Sequence, residues 1–200
     1  MSKVLLIGAS GTLGQAVHAN LGARHDVITA GRSSGTHRVD FSQAGSLAAL
    51  FAAVGKVDAI VSTAGNVHFG PLTSMTPEQF NLGLQDKLLG QVQLALLGHA
   101  HLNDGGSITL ISGILSTDPI RNGASATAVN AAIEGFVAAA ALELPRGIRI
   151  NAVSPTVLTE SMGTYGPFFA GYQPVPAERA ALAYQRSVEG AQTGRVYRVQ

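Results

Sequence analysis

The chain has 200 residues, 46% hydrophobic and only 12% charged, with 24 glycines, no cysteine and no tryptophan. The length suits one domain over residues 1–200, and the apolar fraction supports a sizeable core, which excludes a disordered chain. A formal charge of +1 leaves no basic footprint for nucleic acid or an anionic membrane, and the lack of cysteine excludes disulfides, thiolate-ligated zinc and thiol nucleophiles.

Val4–Ile7 is wholly apolar and stops at Gly8, as expected of a strand buried on both faces of a parallel sheet. Thr12 to Ala23 follows with helical spacing at Leu13, Ala16, Val17 and Leu21. Val27–Ala30 reads as a second strand, His37–Asp40 as a short third, and Ser46–Val54 as a helix. Ala59–Ser62 is a fourth strand that runs into Thr63-Ala64-Gly65. Thr76-Pro77-Glu78-Gln79 carries the signature of a helix start, with a capping Thr, Pro at the first position and Gln three residues on, and predicts a helix to about His101. Ser107–Ile111 is a fifth strand, Ser125–Leu144 a long Ala-rich helix, and Ile148–Val153 a sixth strand. Gly163–Pro176 reads as an irregular loop placed to cover a ligand, Glu178–Glu189 as a last helix and Arg195–Val199 as a last strand. The apolar stretch Ala131–Leu144 is interrupted by Glu134, Gly135 and Glu143 and falls short of the ~20 residues of a membrane span, so a soluble, cytoplasmic protein with no membrane partner is expected. The β-α-β-α rhythm predicts a three-layer α/β/α Rossmann-type fold with a parallel sheet of about seven strands.

Gly8, Gly11 and Gly14 form a G-x-x-G-x-x-G loop between the first strand and the first helix. The first glycine permits a tight turn, the second lets backbone approach a pyrophosphate, and the third lets helix and sheet pack closely. The helix start then presents free N–H groups and a positive dipole end to phosphate. The end of the second strand holds Gly31, Arg32, Ser33 and Ser34 instead of the carboxylate that binds a ribose 2′-hydroxyl. Arg32 can pair with a 2′-phosphate and Ser33 can add a hydroxyl, so NADP(H) is the expected cofactor, with Asp40 and Phe41 placed to flank the adenine.

With these features the chain resembles the short-chain dehydrogenase/reductase family over nearly its whole length. Gly8–Gly14 is similar to the family's glycine loop and Ser62–Gly65 to its segment after the fourth strand. Gly106–Ser112 is similar to the fifth strand that ends on the catalytic Ser, and Ala131–Phe136 to the helix just after the catalytic Tyr and Lys. Ile150–Pro155 and Thr193–Tyr197 are similar to its last two strands. The resemblance implies cofactor contacts from Gly8, Ser10, Gly11, Thr12, Leu13, Gly14, Thr63, Ala64, Gly65, Lys87, Pro155 and Val157, and a homodimer or homotetramer built on the long fourth and fifth helices.

The family's catalytic positions all depart. Its Tyr position holds Ala126, its Lys position Asn130, its Ser position Gly113 with Ser112 just before, and its Asn position Lys87. The Asn and Lys of the two helices stand exchanged, and two readings follow: the Lys87 ammonium fills the space of the family Lys, touching the nicotinamide ribose or a substrate oxygen, or Lys87 is a surface lysine on an exposed helix face. Lys87 and Ser112 are therefore the candidate catalytic residues, for an oxidoreductase acting on an unidentified small carbonyl or alcohol. A catalytically silent NADPH-binding sensor or scaffold is the alternative, and a non-redox isomerase a third. His68, Tyr165 and Tyr172 are further candidate proton donors; His99 and His101 point to different helix faces, no carboxylate cluster offers a metal site, and no G-x-S-x-G nucleophile elbow occurs.

Overall fold

The computed structural model describes all residues, 1–200. Seven parallel strands form one sheet: β1 (Lys3–Ile7), β2 (Asp26–Gly31), β3 (His37–Arg38), β4 (Val57–Ser62), β5 (Leu102–Ile111), β6 (Arg149–Pro155) and β7 (Val196–Val199), in the order β3-β2-β1-β4-β5-β6-β7. Order reverses between β1 and β4. In such sheets the crevice beyond the strand ends at the reversal is where ligands bind.

The continuous apolar runs have a direct cause. Along β1, Leu5 and Ile7 enter a core of 22 buried residues on one face, and Val4 and Leu6 a core of 16 on the other. The first face is covered by α2 (Ala44–Val54), α4 (Gly90–Gly98) and α5 (Ala124–Glu143), the second by α1 (Thr12–Gly22) and α7 (Ala177–Glu189). Both faces are therefore dry, and alternation of polar and apolar residues disappears.

Three expectations are corrected. The helix read from Thr76 to His101 begins as expected, with Gln79 N donating to Thr76 Oγ1 at 3.3 Å and Thr76 N to Gln79 Oε1 at 2.9 Å. It does not stay regular. α3 (Pro77–Gly83) passes into a π-helical turn, Leu84–Leu89, before α4, and His99–His101 closes as a 3₁₀ turn. The segment Gly163–Pro176 is an irregular loop only from Phe169 onward. A short helix α6 (Met162–Tyr165) and a 3₁₀ turn (Gly166–Phe168) fold over a small core of Ile114, Leu115, Ala126, Val157 and Phe169. A bridge from Leu158 to Val175 closes the base, and the Tyr172 hydroxyl donates to the Asp118 carbonyl at 3.0 Å. Finally, α5 is a full 20 residues, with the length and hydropathy of a membrane-spanning helix. Here it lies on the sheet, with Val129, Ile133 and Val137 wholly buried.

Candidate active site

The glycine loop folds as its spacing predicts, and each glycine has a separate reason. Gly8 has φ +91°, a left-handed conformation that disfavours side chains, and abuts Ala64 and Thr63. A Cβ on Gly14 would run into the Gly8 carbonyl oxygen, so this glycine sets how closely α1 approaches β1. Gly11 differs. A Cβ there would meet nothing nearer than the Gly8 oxygen at 3.7 Å, and its backbone is ordinary and extended. Nothing inside the protein requires glycine at this position. It is the N-cap of α1 and has no side-chain cap, so the helix end is left open towards the crevice.

Two cavities of about 310 Å³ each lie along the strand ends and share Thr63, Gly65 and Asn66. One is walled by Gly8, Ser10, Gly11, Arg32 and Ser33 among others; the second is walled by Leu13, Lys87, Ser112, Asn130, Pro155 and Val157. A bipartite crevice with an uncapped helix terminus between its halves fits a dinucleotide. Thr63 braces the junction by donating to the carbonyls of Ile7 and Gly8, both at 3.1 Å.

Asp40 and Phe41 sit apart from the roles expected of them. Asp40 Oδ1 accepts from Ser42 N and Ser42 Oγ at 3.1 and 2.6 Å, making a local turn before α2. Phe41 is buried with its ring against Gly90, so it touches the crevice only as part of the wall. Arg32 stands at the crevice with its side chain 56% exposed, but a carboxylate does face it. Asp86, from the π turn, lies 3.7 Å from its Nη2.

The second cavity is organised around Lys87. This side chain is buried, and its Nζ donates to Asn130 Oδ1 at 2.8 Å and to the Ser112 carbonyl at 3.0 Å. The exchanged Lys and Asn thus meet directly. No carboxylate pairs with the ammonium, and burial pushes its pKa down from 10.5 to about 8. Two glycines make room for the pair. Gly65 (φ +135°) lies against the Lys87 stem, where a Cβ would come within 2.6 Å of Cγ, and a Cβ on Gly113 would come within 3.0 Å of Asn130 Nδ2.

Ser112 presents its carbonyl to Lys87 and its hydroxyl elsewhere. Ser112 Oγ donates to Glu134 Oε1 at 2.9 Å, where Ser116 Oγ also donates at 2.7 Å, and Arg198 Nη2 lies 3.3 Å from Glu134 Oε2. The hydroxyl proton is committed to Glu134 and is not offered to a ligand. Ala126 lines the cavity without any phenol in its place; the nearest substitute in kind, Tyr165, is on the cavity wall in tilted contact with Phe69 at 5.7 Å between ring centres. Tyr172 is anchored to Asp118, His101 stacks on Phe51 at 4.8 Å, and His68 is absent from the cavity walls.

Gln91 has no signal in the sequence. It is fully buried; its Nε2 donates to the carbonyls of Lys87 (3.1 Å) and Ile111 (2.9 Å), while its Oε1 accepts from Ile111 N at 2.8 Å. It satisfies both backbone groups at the end of β5 and ties the π turn to that end, one residue before Ser112.

Comparison with known proteins agrees with this geometry. A family model described as Enoyl-(Acyl carrier protein) reductase matches residues 13–195. An uncharacterized oxidoreductase of Methylorubrum extorquens is 30% identical over 146 residues, 70% of this chain and 59% of that one. Hydroxynaphthalene reductase arp2 of Aspergillus fumigatus is 31% identical over 54% of this chain and 40% of its own, so the matches span between 40% and 59% of the length of these two curated relatives. Among solved structures, the protein lin1944 from Listeria innocua is 52% identical with a TM-score of 0.98, and both chains are covered completely. A small-chain dehydrogenase in complex with NADPH is 27% identical with a TM-score of 0.89, covering 100% of this chain and 96% of that one. By fold, by strand order and by these matches, the chain belongs to the short-chain dehydrogenase/reductase family of oxidoreductases.

Proposed function

We propose that this chain is an NADP(H)-dependent oxidoreductase for a small carbonyl or alcohol, in which Lys87 does the proton work that a tyrosine does elsewhere in the family. The observation that carries the reading is the buried Lys87 ammonium on the wall of a cavity, held by Asn130 and the Ser112 carbonyl, where burial pushes its pKa down to about 8. The open helix end at Gly11 and the uncarboxylated Gly31–Ser34 segment support NADP(H), as does the NADPH complex of the 27%-identical relative.

A bound nicotinamide supplies or accepts the hydride. The protein's share is to bind, orient and move one proton. Gly8, Ser10, Gly11 and the α1 terminus would receive the phosphates, and Leu13, Thr63, Gly65, Pro155 and Val157 line the half of the crevice beyond; Thr12 faces a separate cavity between α1 and α7. Lys87 has three N–H donors and spends two on Asn130 and Ser112, which leaves one for a substrate oxygen. In reduction Nζ releases its proton to that oxygen as the alkoxide develops; in oxidation the neutral amine takes it back. The cavity wall of Val67, Phe69, Ile114, Leu115 and Phe169 favours an uncharged, apolar substrate body.

The second reading, a silent NADPH-binding protein, is favoured by Ala126 in the tyrosine position and by the Ser112 hydroxyl bound to Glu134. Loss of nicotinamide absorbance across a panel of aldehydes and ketones separates the two. Turnover supports the oxidoreductase; tight NADPH binding without turnover of any compound supports the silent protein.

We also place a second copy of the chain against the α4–α5 face, in a cytoplasmic dimer or tetramer. Leu89 and Leu96, seven residues apart, are 39% and 58% exposed, and Leu142 near the end of α5 is more exposed still. Leu96→Glu is expected to convert the assembly to monomers in light scattering, because a charge at a dimer's apolar centre has no partner. An unchanged mass would remove this face from consideration.

A further inference from the structure

Beside the Arg32 half of the crevice, behind the wall residue Asn66, stands a carboxylate that sequence spacing alone does not place there. Asp86 Oδ2 accepts from Asn66 N at 3.0 Å and Asn66 Nδ2 at 2.6 Å, and lies 3.7 Å from Arg32 Nη2. Its other oxygen, Oδ1, is buried and accepts no hydrogen bond. The two side chains are unequal in freedom: Arg32 is 56% exposed, Asp86 13%. The carboxylate is fixed from behind, while the guanidinium can move.

We propose that Asp86 is a resident counter-ion at the 2′-phosphate subsite, holding Arg32 over the crevice and lowering the affinity for NADPH relative to NADH. The inference rests on the NADP(H) reading above. Its sign is the same in both states of the site. In the free protein Asp86 attracts Arg32, and a 2′-phosphate must compete for that guanidinium. In the complex Asp86 cannot withdraw, because Asn66 holds it through two hydrogen bonds. Two anions then share one guanidinium, and the phosphate, with a charge of about −1.5 to −2, is repelled by the carboxylate. A 2′-hydroxyl carries no charge and is indifferent to both effects. Such a counter-ion keeps the binding arginine ordered and limits how long the spent cofactor stays.

Fluorescence titration of NADPH and NADH against wild type, Asp86→Asn and Arg32→Ala tests this. The Asn variant keeps an oxygen for Asn66 N and removes only the charge. Asp86→Asn is expected to bind NADPH about fivefold more tightly, the scale of a partly exposed ion pair, with NADH affinity nearly unchanged. Raising the salt concentration should shrink that gain. Arg32→Ala should bind NADPH about tenfold or more weakly and leave NADH alone. If Arg32→Ala loses NADPH selectively but Asp86→Asn binds it no better than wild type, the counter-ion role fails and the cofactor reading stands. If Arg32→Ala shows no selective loss, both fail. If Asp86→Asn loses both nucleotides together, Asp86 serves only to hold the Asn66 loop, and the proposal is overturned.

Discussion

Lys87→Met is expected to lower turnover by about 10²–10⁴-fold, the range of a lost proton donor, with the NADPH Kd nearly unchanged. Met has a similar length and no proton to give, so the cavity stays filled. The wild-type pH profile supplies a second readout. With the ammonium at about pH 8, reduction should be flat at neutral pH and fall as pH rises through 8, because the protonated form is the donor. Oxidation should rise over the same interval. Retention of wild-type turnover by Lys87→Met would assign the proton to another group, with Tyr165 on the same wall the next to test. Stability gives an activity-free check. Between pH 8 and 10.5 the unfolded chain holds the Lys87 proton and the folded chain has released it, so stability rises with pH there. The full gain is roughly 3 kcal/mol for this wholly buried group, and the difference between wild type and Lys87→Met in denaturant titrations should show it.

Gly14→Ala and Gly11→Ala should part company. At Gly14 the new methyl group would strike the Gly8 carbonyl oxygen and lie 2.8 Å from Ala9 Cα. Neither neighbour is a side chain that can swing away. Separating α1 from β1 is the remaining response, and a loss of roughly 3 kcal/mol or more is expected, seen as a lower Tm. At Gly11 the space is open. Gly11→Ala should fold with a change of at most about 1 kcal/mol, the scale of an N-cap substitution. It should nonetheless bind NADPH about tenfold or more weakly, because the methyl group stands where a pyrophosphate needs bare backbone. Equal effects of the two variants on stability, or undiminished nucleotide binding by Gly11→Ala, would count against the phosphate role of this loop.

Much of the fold was legible because it depends on local pattern. Apolar runs such as Val4–Ile7 mark strands buried on both faces, and the Thr76/Gln79 capping box marks a helix start regardless of what surrounds it. The alignment of family positions also put Lys87 and Asn130 in the same neighbourhood. What stayed illegible is set by contacts between distant residues. The π turn at Leu84–Leu89 has no composition of its own; it coincides with the Gln91 clamp and with the Lys87 contacts to residues 25 and 43 positions away. Asp86 looks like a solvent-facing helix residue until the fold brings Asn66 and Arg32 beside it. Ser112 reads as a free hydroxyl at a strand end, and only the packing of α5 on the sheet shows that it donates its hydrogen bond to Glu134. The covering segment was misread for the opposite reason. Its glycines and prolines look like punctuation, whereas its aromatic rings and the Asp118 anchor hold it in place.

The π turn also constrains how this sequence can change. Asp86 and Lys87 are neighbours in the chain, yet one reaches Arg32 beside one half of the crevice and the other reaches Asn130 on the wall of the second half. A π turn carries one residue more than the α-helical turn it replaces. Deleting a single residue between Leu84 and Leu89 would turn the π turn into an α turn and leave the two flanking helices close to their present register, so the change would fall on the directions in which Asp86 and Lys87 project. The Thr76 cap and the Gln91 clamp would keep their partners, while Asp86 and Lys87 could not both keep theirs. Length in this stretch is therefore as restricted as identity, and a one-residue deletion here is expected to leave the fold standing while separating Lys87 from Asn130 or Asp86 from Arg32.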